Sequence, residues 1–320
     1  MAVYTRVNEQ DLNEFLHAYD IGDAISFSGI TEGVENSNYR LTTTKGQFIL
    51  TLYEKRVNIN DLPFFVDLMT HISSRGITCP DPIADKNGDV LKQLNGRAAA
   101  IFSFLSGTSN NTPPPQRCYS AGRVLAEMHI AATDAKISRA NTLDHQAWAP
   151  LLAASGDGAP DLPSGLTEDA KGWLDKILLA WPTDLPRGII HADLFPDNVL
   201  FIGDEVTGVI DFYFACNDFL AYDLAIMINA WCFEDDGSFS ITKSSELMRG
   251  YQSVRNLTDA EKSAIPMLSR GAAMRFFLTR LYDWINTDKD AQVRPHDPMA
   301  YWARLDFHHT VDQPTAYGIS

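Results

Sequence analysis

One segment in the second half of the chain constrains the fold more than any other. Residues 188–211 read GIIHADLFPDNVLFIGDEVTGVID, so a polar loop separates one apolar run from a later pair of apolar runs. The Gly-Asp-Glu turn between the later runs is typical of a β hairpin. The chain must therefore form a short hairpin that is entered through a polar loop and that ends at the carboxylate of Asp211.

The polar residues of this segment have a spacing that suits phosphoryl transfer. Asp193 in the loop can accept a proton from a hydroxyl nucleophile. The hairpin brings Asn198 and Asp211 together, and their amide and carboxylate oxygens are ligands that suit Mg²⁺. An isolated pair such as Asp197-Asn198 more often marks a turn. The complete order, however, is His-x-Asp-x-x-x-x-Asn, a hairpin and then Ile-Asp, which is the order of the catalytic and metal-binding loops of protein kinases.

The chain divides into two lobes of different character. Residues 1–105 predict mixed α and β structure, and a polar, proline-rich linker at 106–116 follows. Residues 117–320 predict a mainly helical lobe in which the segment just described is a β island. The helices expected there lie at 117–132, 168–180, 222–233, 240–254, 259–285 and 298–309. The sequence thus predicts an α+β fold with a small N-terminal lobe and a larger C-terminal lobe.

Local patterns define the main elements of the first lobe. Apolar residues spaced along one face predict a helix over 9–19, with Asn8 as its N-cap. Residues 36–43 and 47–54 flank a Thr-Thr-Lys-Gly turn and predict a hairpin. A second helix is expected over 60–75.

Charge and composition exclude several classes of partner. The 320 residues include 26 Lys plus Arg against 41 Asp plus Glu, which gives a formal net charge of −15. Such an acidic surface repels nucleic acid and anionic membrane surfaces. We see neither an apolar signal core at the N-terminus nor a run long enough to span a bilayer, so we expect a cytoplasmic protein. The four cysteines are scattered and are expected to be buried free thiols.

The sequence resembles the aminoglycoside phosphotransferase and choline kinase-like superfamily of small-molecule kinases. In that superfamily an Ile-Asp-[Phe/Trp] motif replaces Asp-Phe-Gly, and Ile210-Asp211-Phe212 matches it. Within the superfamily, the sequence is most similar to homoserine kinases of the protein-kinase-like type. This comparison rests on GVENSNY at 33–39, FILTLYEK at 48–55, HADLFPDNVLF at 191–201, IDFYFAC at 210–216 and RFFLTRLYD at 275–283. The resemblance covers about residues 1–310 and implies a protein-kinase-like bilobal fold.

The resemblance implies an ATP- and Mg²⁺-dependent kinase that phosphorylates the side-chain hydroxyl of L-homoserine, on the route to threonine. Asp193 would orient or deprotonate that hydroxyl. Asn198 and Asp211 would hold Mg²⁺ on the ATP phosphates. His191 and Asp223 would support the catalytic loop, although an acid such as Asp223 in the first turn of a helix also suits the helix dipole.

The nucleotide site departs from the protein-kinase pattern. The residues that the resemblance implies are Gly33, Ser37 and Asn38 in the phosphate loop, Thr51 in the next strand, and Phe102, Phe104 and Leu105 in the hinge. Thr51 stands where a protein kinase carries its phosphate-binding lysine, and threonine cannot neutralise phosphate. Arg40 and Lys55 are candidates to replace that lysine, or they are surface charges. The helix over 60–75 also lacks the glutamate that usually pairs with the lysine.

Four residues are candidates for binding the acceptor. Tyr213 and Asp218 follow the metal motif, and Asp218 could face an ammonium group. Arg275 and Arg280 lie on an otherwise apolar helix, where they either bind a substrate carboxylate or pair with neighbouring acids.

Two other functions remain open at this point. One is a kinase for a different small hydroxyl compound, such as an aminoglycoside, choline or a thioribose. The other is a nucleotide-binding pseudokinase, which the missing lysine favours and the complete set Asp193, Asn198 and Asp211 opposes. The sequence leaves the oligomeric state unknown.

Overall fold

The computed structural model describes residues 4–30, 36–54, 57–156, 158–159, 161–287 and 295–319. Its strands are β1 (Ala24–Gly29), β2 (Ser37–Thr43), β3 (Gly46–Leu52), β4 (Pro82–Ile83), β5 (Lys92–Leu94), β6 (Arg97–Ser103), β7 (Arg187–Ile190), β8 (Val199–Ile202), β9 (Glu205–Val209) and β10 (Cys216–Phe219). Its helices are α1 (Glu9–Leu16), α2 (Leu62–Ser73), α3 (Pro115–Ala131), α4 (His145–Ala154), α5 (Leu166–Leu179), α6 (Leu220–Trp231), α7 (Ile241–Gln252), α8 (Asp259–Asn286) and α9 (Met299–His309). The predicted α+β class is confirmed.

The first lobe is built on one antiparallel sheet with the strand order β1-β2-β3-β6-β4, and β5 also pairs with β6. The predicted hairpin is confirmed as β2 and β3, in which Asn38 lies opposite Thr51. The first predicted helix is confirmed as α1. Asn8 caps it by accepting a hydrogen bond from the Asp11 backbone, while the Asp11 side chain accepts from the Asn8 backbone.

Helix α2 joins the two lobes through a shared hydrophobic core. One apolar cluster fills the space between α1 and the sheet, with Leu12, Leu41 and Leu50 at its centre. The second cluster contains α2 residues such as Phe65 and continues without interruption into the helices of the C-terminal lobe. An ion pair of 2.7 Å between Asp61, just before α2, and Arg139 also links the lobes.

The C-terminal lobe contains the predicted helices, with bounds within a few residues of expectation, and two elements that the sequence did not predict. Helix α4 was missed, and so was β10, which pairs antiparallel with β7. The β island is therefore two small sheets, β7–β10 and β8–β9, rather than one hairpin. The sequence CNDF of β10 has no alternation of apolar and polar residues, so only its distant partner defines it as a strand.

The predicted linker lies between β6 and α3 and packs on the β8–β9 hairpin. Thr108 forms an isolated bridge with Phe201, and the Thr207 hydroxyl donates to the Ser106 carbonyl oxygen at 2.7 Å. A Cβ atom at Gly107 would collide with the Thr207 hydroxyl and lie 3.2 Å from the Phe201 backbone nitrogen. The boundaries at 105/106 and 116/117 stay predictions.

Two global expectations can be compared with the structure. Within the described ranges, no helix combines the length and the apolar character needed to cross a membrane. All four cysteines are buried free thiols, as predicted.

Candidate active site

The loop that follows β7 is held by a buried carboxylate. Asp223 lies in the first turn of α6 and is fully buried. Its two oxygens accept hydrogen bonds from the His191 backbone at 2.7 Å and the Ala192 backbone at 2.9 Å. These bonds hold Ala192 at φ +63°, a conformation that is costly for a non-glycine residue. Asp223 therefore fixes the backbone immediately before Asp193.

The His191 ring connects the two halves of the site. One ring nitrogen, Nδ1, accepts from the Asp193 backbone at 3.3 Å, and the other, Nε2, lies 3.0 Å from the Ile210 carbonyl oxygen. Burial lowers the pKa of His191, although the nearby Asp223 charge acts in the opposite direction. A neutral ring with its proton on Nε2 satisfies both contacts. His191 thus braces the loop against the residue that precedes Asp211.

The metal-ligand candidates meet at the open end of the β8–β9 hairpin. The Ile210 backbone donates to the Asn198 carbonyl oxygen at 3.0 Å, which aligns the ends of the two strands. The side-chain amide nitrogen of Asn198 donates to the Asp193 carbonyl oxygen at 2.8 Å, so its oxygen is left as an acceptor. Asp211 follows at φ +65°, an uncommon conformation outside glycine.

This donor set fits a divalent cation that is shared with phosphate. Within the described ranges, no group of three or more His, Cys, Asp or Glu residues could enclose a metal. Asn198 and Asp211 together supply two oxygen ligands and one negative charge. Mg²⁺ commonly takes one or two protein ligands and completes its shell with water and substrate phosphates.

A chain of hydrogen bonds through His129, Tyr251 and Arg255 holds Asp223 in place, and the sequence did not predict this chain. His129 on α3 contacts Asp223 through Nε2 at 3.1 Å and the Tyr251 hydroxyl through Nδ1 at 2.9 Å. Arg255 donates to that hydroxyl at 3.1 Å and forms an ion pair of 2.8 Å with the buried Glu261. Burial alone would raise the pKa of Asp223, but the hydrogen bond and charge of His129 bring it below its ordinary value.

Three of the predicted nucleotide-binding residues differ in their hydrogen-bond partners. The Thr51 hydroxyl is buried and donates to the Asn38 side-chain oxygen at 2.7 Å, so these two lie together on one face of the sheet. The Ser37 hydroxyl accepts from two backbone nitrogens and donates to Glu54 at 2.7 Å. Its full hydrogen-bonding capacity is used within the protein, so Ser37 does not reach a phosphate in this conformation.

The hinge candidates lie where β6 leaves the sheet. Phe102 is buried in β6, and Phe104 and Leu105 are half-buried beyond it. The Arg40 guanidinium lies 4.6 Å from the Phe104 ring centroid and donates to the Gln47 side chain. Gly33 and Lys55 lie outside the described residues.

The structure places the four acceptor candidates in two groups. Tyr213 contacts the Tyr53 and Phe65 rings edge to face, at 5.5 and 5.6 Å, so it packs between the lobes. Asp218 accepts from Asn141 at 2.7 Å and pairs with Arg187 at 3.3 Å. A contact of either residue with the acceptor stays a prediction.

The second group consists of the two arginines on α8. Arg275 is buried and donates to the Ala192 carbonyl oxygen at 2.5 Å. The Arg280 guanidinium lies 4.5 Å from the Tyr301 ring centroid and 3.4 Å from the Asp297 carbonyl oxygen. Neither forms an ion pair with a described carboxylate, although the charges of Asp193 and Asp297 act on Arg280. Both alternatives, binding of a substrate carboxylate and pairing with neighbouring acids, stay predictions.

Comparisons with known proteins identify the family of the chain. Residues 26–257 match the model of the phosphotransferase enzyme family. A homoserine kinase of Xanthobacter autotrophicus is 51% identical over 320 residues, which are 100% of both chains. A homoserine kinase of Granulibacter bethesdensis is 54% identical over 319 residues, again 100% of both. The chain belongs to the phosphotransferase enzyme family, among its homoserine kinases.

Solved structures place this phosphotransferase in the same fold. An amicoumacin kinase in complex with AMP-PNP, Ca²⁺ and its ligand matches with a TM-score of 0.72 at 17% identity, over 95% of this chain and 94% of that one. A choline kinase from Cryptosporidium parvum matches with a TM-score of 0.67 at 13% identity, over 95% of each chain. The bilobal fold inferred from the sequence is thereby confirmed.

Proposed function

We propose that this chain transfers the γ-phosphoryl group of ATP to the side-chain hydroxyl of L-homoserine, giving ADP and O-phospho-L-homoserine. The observation that carries the proposal is the 2.8 Å bond from the Asn198 amide to the Asp193 carbonyl oxygen. It joins the candidate base and one candidate metal ligand within a single loop. The homoserine kinases of about 50% identity over the full chain support the choice of acceptor.

At phosphorus, the reaction forms one P–O bond and breaks another. The acceptor hydroxyl oxygen bonds to the γ-phosphorus while the bond from that phosphorus to the β,γ-bridging oxygen breaks, and ADP leaves. Asp193 orients the hydroxyl and takes its proton. Catalysis of this kind depends mainly on positioning and on charge stabilisation.

We assign Mg²⁺ to Asn198 and Asp211. When bound, Mg²⁺ neutralises negative charge on the phosphate oxygens. Because Thr51 stands at the usual lysine position, a bound metal and backbone amides would supply most of this neutralisation. Thr51 and Asn38, held together by their hydrogen bond, line the nucleotide face of the sheet.

The acceptor specificity tests the proposal. We expect the purified chain with ATP and Mg²⁺ to show its highest kcat/KM with L-homoserine, in a coupled assay of ADP release. The same panel contains choline, an aminoglycoside and a thioribose, and removal of the divalent ion with EDTA should stop turnover. A higher kcat/KM with one of the other acceptors would reject the homoserine assignment. ATP binding without transfer to any acceptor would indicate a pseudokinase.

A further inference from the structure

The arginines of the C-terminal lobe differ in whether they form an ion pair with a carboxylate. In this acidic protein, most of them form ion pairs with carboxylates. The pairs are Arg117–Asp204, Arg123–Glu127, Arg139–Asp61, Arg187–Asp218, Arg249–Glu246, Arg255–Glu261 and Arg270–Asp312. Within the described part of the lobe, Arg275, Arg280 and Arg304 have no such partner, and all three lie on α8 and α9.

These three guanidiniums surround one pair of aromatic rings. The Arg280 and Arg304 guanidiniums lie 4.5 and 4.4 Å from the Tyr301 ring centroid. The Arg275 guanidinium lies 4.2 Å from the Phe276 centroid, which is 5.1 Å from that of Tyr301. Three positive charges are thus concentrated in a small volume. Among the described residues the charges of Asp193 and Asp297 act on Arg280, but no carboxylate forms an ion pair with any of the three, and an anion bound there would stabilise the cluster.

The cluster lies beside the candidate base. Arg275 donates to the carbonyl oxygen of Ala192, the residue before Asp193. The Asp193 charge acts on both Arg280 and Tyr301, and burial together with the like charge of Arg304 lowers the pKa of Arg280. An acceptor whose hydroxyl lies at Asp193 therefore has its other end near these arginines.

Two buried donors strengthen the argument for a missing partner. Arg275 Nε and the Tyr301 hydroxyl are shielded from solvent and have no hydrogen-bond partner among the described residues. Buried polar groups without partners are rare in proteins and call for a specific explanation. Arg275 is held in place by Ala192, whereas Arg280 and Arg304 are partly exposed and can meet a ligand.

We propose that Arg280 and Arg304, stacked on Tyr301, bind the carboxylate of the acceptor and select hydroxy amino acids over amino alcohols. Guanidinium groups bind carboxylates through paired, charge-assisted hydrogen bonds. Arg304 is then a specificity residue that the sequence analysis did not single out, and Arg275 positions the catalytic loop. This inference rests on the proposed function, because it describes the acceptor site of the same reaction.

The test uses acceptors that differ only in the carboxylate. 3-Aminopropan-1-ol is L-homoserine without its carboxylate, and ethanolamine has the same relation to L-serine. For Arg304→Gln we expect KM for L-homoserine to rise about 10- to 100-fold, the range of a lost hydrogen bond to a charged group. Its kcat/KM for 3-aminopropan-1-ol should stay unchanged. For Arg304→Lys we expect a KM for L-homoserine between those of the wild type and Arg304→Gln. Arg123→Gln, which removes an exposed arginine on α3, should keep the wild-type KM.

Measurements of L-homoserine binding distinguish failure of the carboxylate-site proposal from failure of the proposed function. Titration of L-homoserine in the presence of AMP-PNP and Mg²⁺ should show weaker binding by Arg304→Gln, with thermal melting as the check on folding. If the wild type favours L-serine over both L-homoserine and the amino alcohols, homoserine is the wrong acceptor but the carboxylate site stands. If the wild type favours the amino alcohols, or Arg304→Gln binds L-homoserine as tightly as the wild type, the carboxylate site is rejected.

Discussion

At the scale of single residues, the site depends on backbone positions fixed by buried side chains. Ala192 and Asp211 both have positive φ without being glycine. Asp223 holds the first by accepting two backbone hydrogen bonds, and His191 links the loop to the residue before the second. These buried side chains therefore hold two strained backbone positions in place, and in this way they fix the geometry around Asp193.

The role of Asp193 can be tested against a neighbour in the same loop. We expect Asp193→Asn to lower kcat for L-homoserine about 10²- to 10⁴-fold, because the amide cannot accept the hydroxyl proton. Binding of AMP-PNP should change little. Asp197→Asn is the control, since Asp197 is exposed in the same loop. Steady-state rates and nucleotide titration measure both effects, and retained turnover in Asp193→Asn would show that Asp193 is not the base.

At the scale of elements, the β8–β9 hairpin lies between the two proposed metal ligands, Asn198 and Asp211, and also contacts the linker. Thr108 bridges to Phe201 on β8, and Ser106 accepts a hydrogen bond from Thr207 on β9. The segment that connects the lobes is therefore anchored directly on the hairpin that ends at Asp211. Displacement of this segment should disturb the nucleotide hinge and the metal site together.

Gly107 provides the test of this anchoring. Gly107→Ala places a Cβ against the Thr207 hydroxyl and at a φ of +142°. We expect the free energy of unfolding to fall by about 1–3 kcal/mol, the cost of overpacking, and KM for ATP to rise. Gly88→Ala is the control, because Gly88 has φ +92° but no atom within 4 Å of an added Cβ. Urea unfolding and steady-state kinetics of the two variants separate steric collision from backbone strain, and equal losses would contradict the account.

Elements with local signals could be predicted from the sequence, and elements defined by distant partners could not. The Asn8 cap and the β2–β3 hairpin depend on neighbouring residues and were found. Strand β10 exists because it pairs with β7, about thirty residues earlier in the chain, and it was missed. In the candidate site, the motif predicts Asp193 and the loop that contains it. The proposed role of Arg304 depends on how α9 packs against α8, and no local sequence pattern shows that packing.

At the scale of the whole molecule, the two lobes share a core and a few polar links. Helix α2 packs into the same apolar cluster as the C-terminal helices. At its ends, Asp61 pairs with Arg139, and Arg75 pairs with Asp134 after α3. The two lobes are therefore joined on the α2 side by continuous apolar packing.

Buried histidines in the C-terminal lobe make stability depend on pH. His308 is fully buried between Tyr317 and Asn229, and burial lowers its pKa to about 3. The unfolded chain binds a proton at this residue below about pH 6.5, whereas the folded chain does not. Stability therefore falls as pH drops from about 6.5 toward 3, by up to about 1.4 kcal/mol per pH unit for this group.

Urea unfolding at pH 7.5, 6.0 and 5.0 measures this dependence. We expect the free energy of unfolding to decrease with pH below 6.5, and His308→Gln to decrease less steeply. The exposed residue His17 offers a control, and His17→Gln should keep the wild-type slope. An unchanged slope in His308→Gln would show that His308 does not bind the proton that destabilises the fold.

The central claim is that this chain phosphorylates the hydroxyl of L-homoserine, and product identification tests it most directly. Phosphorus-31 NMR of the wild-type chain with ATP, Mg²⁺ and L-homoserine should show one O-phospho-L-homoserine for each ADP formed. The appearance of ADP with inorganic phosphate in place of the phosphate ester, or no reaction with L-homoserine while another hydroxyl compound is phosphorylated, would contradict the account.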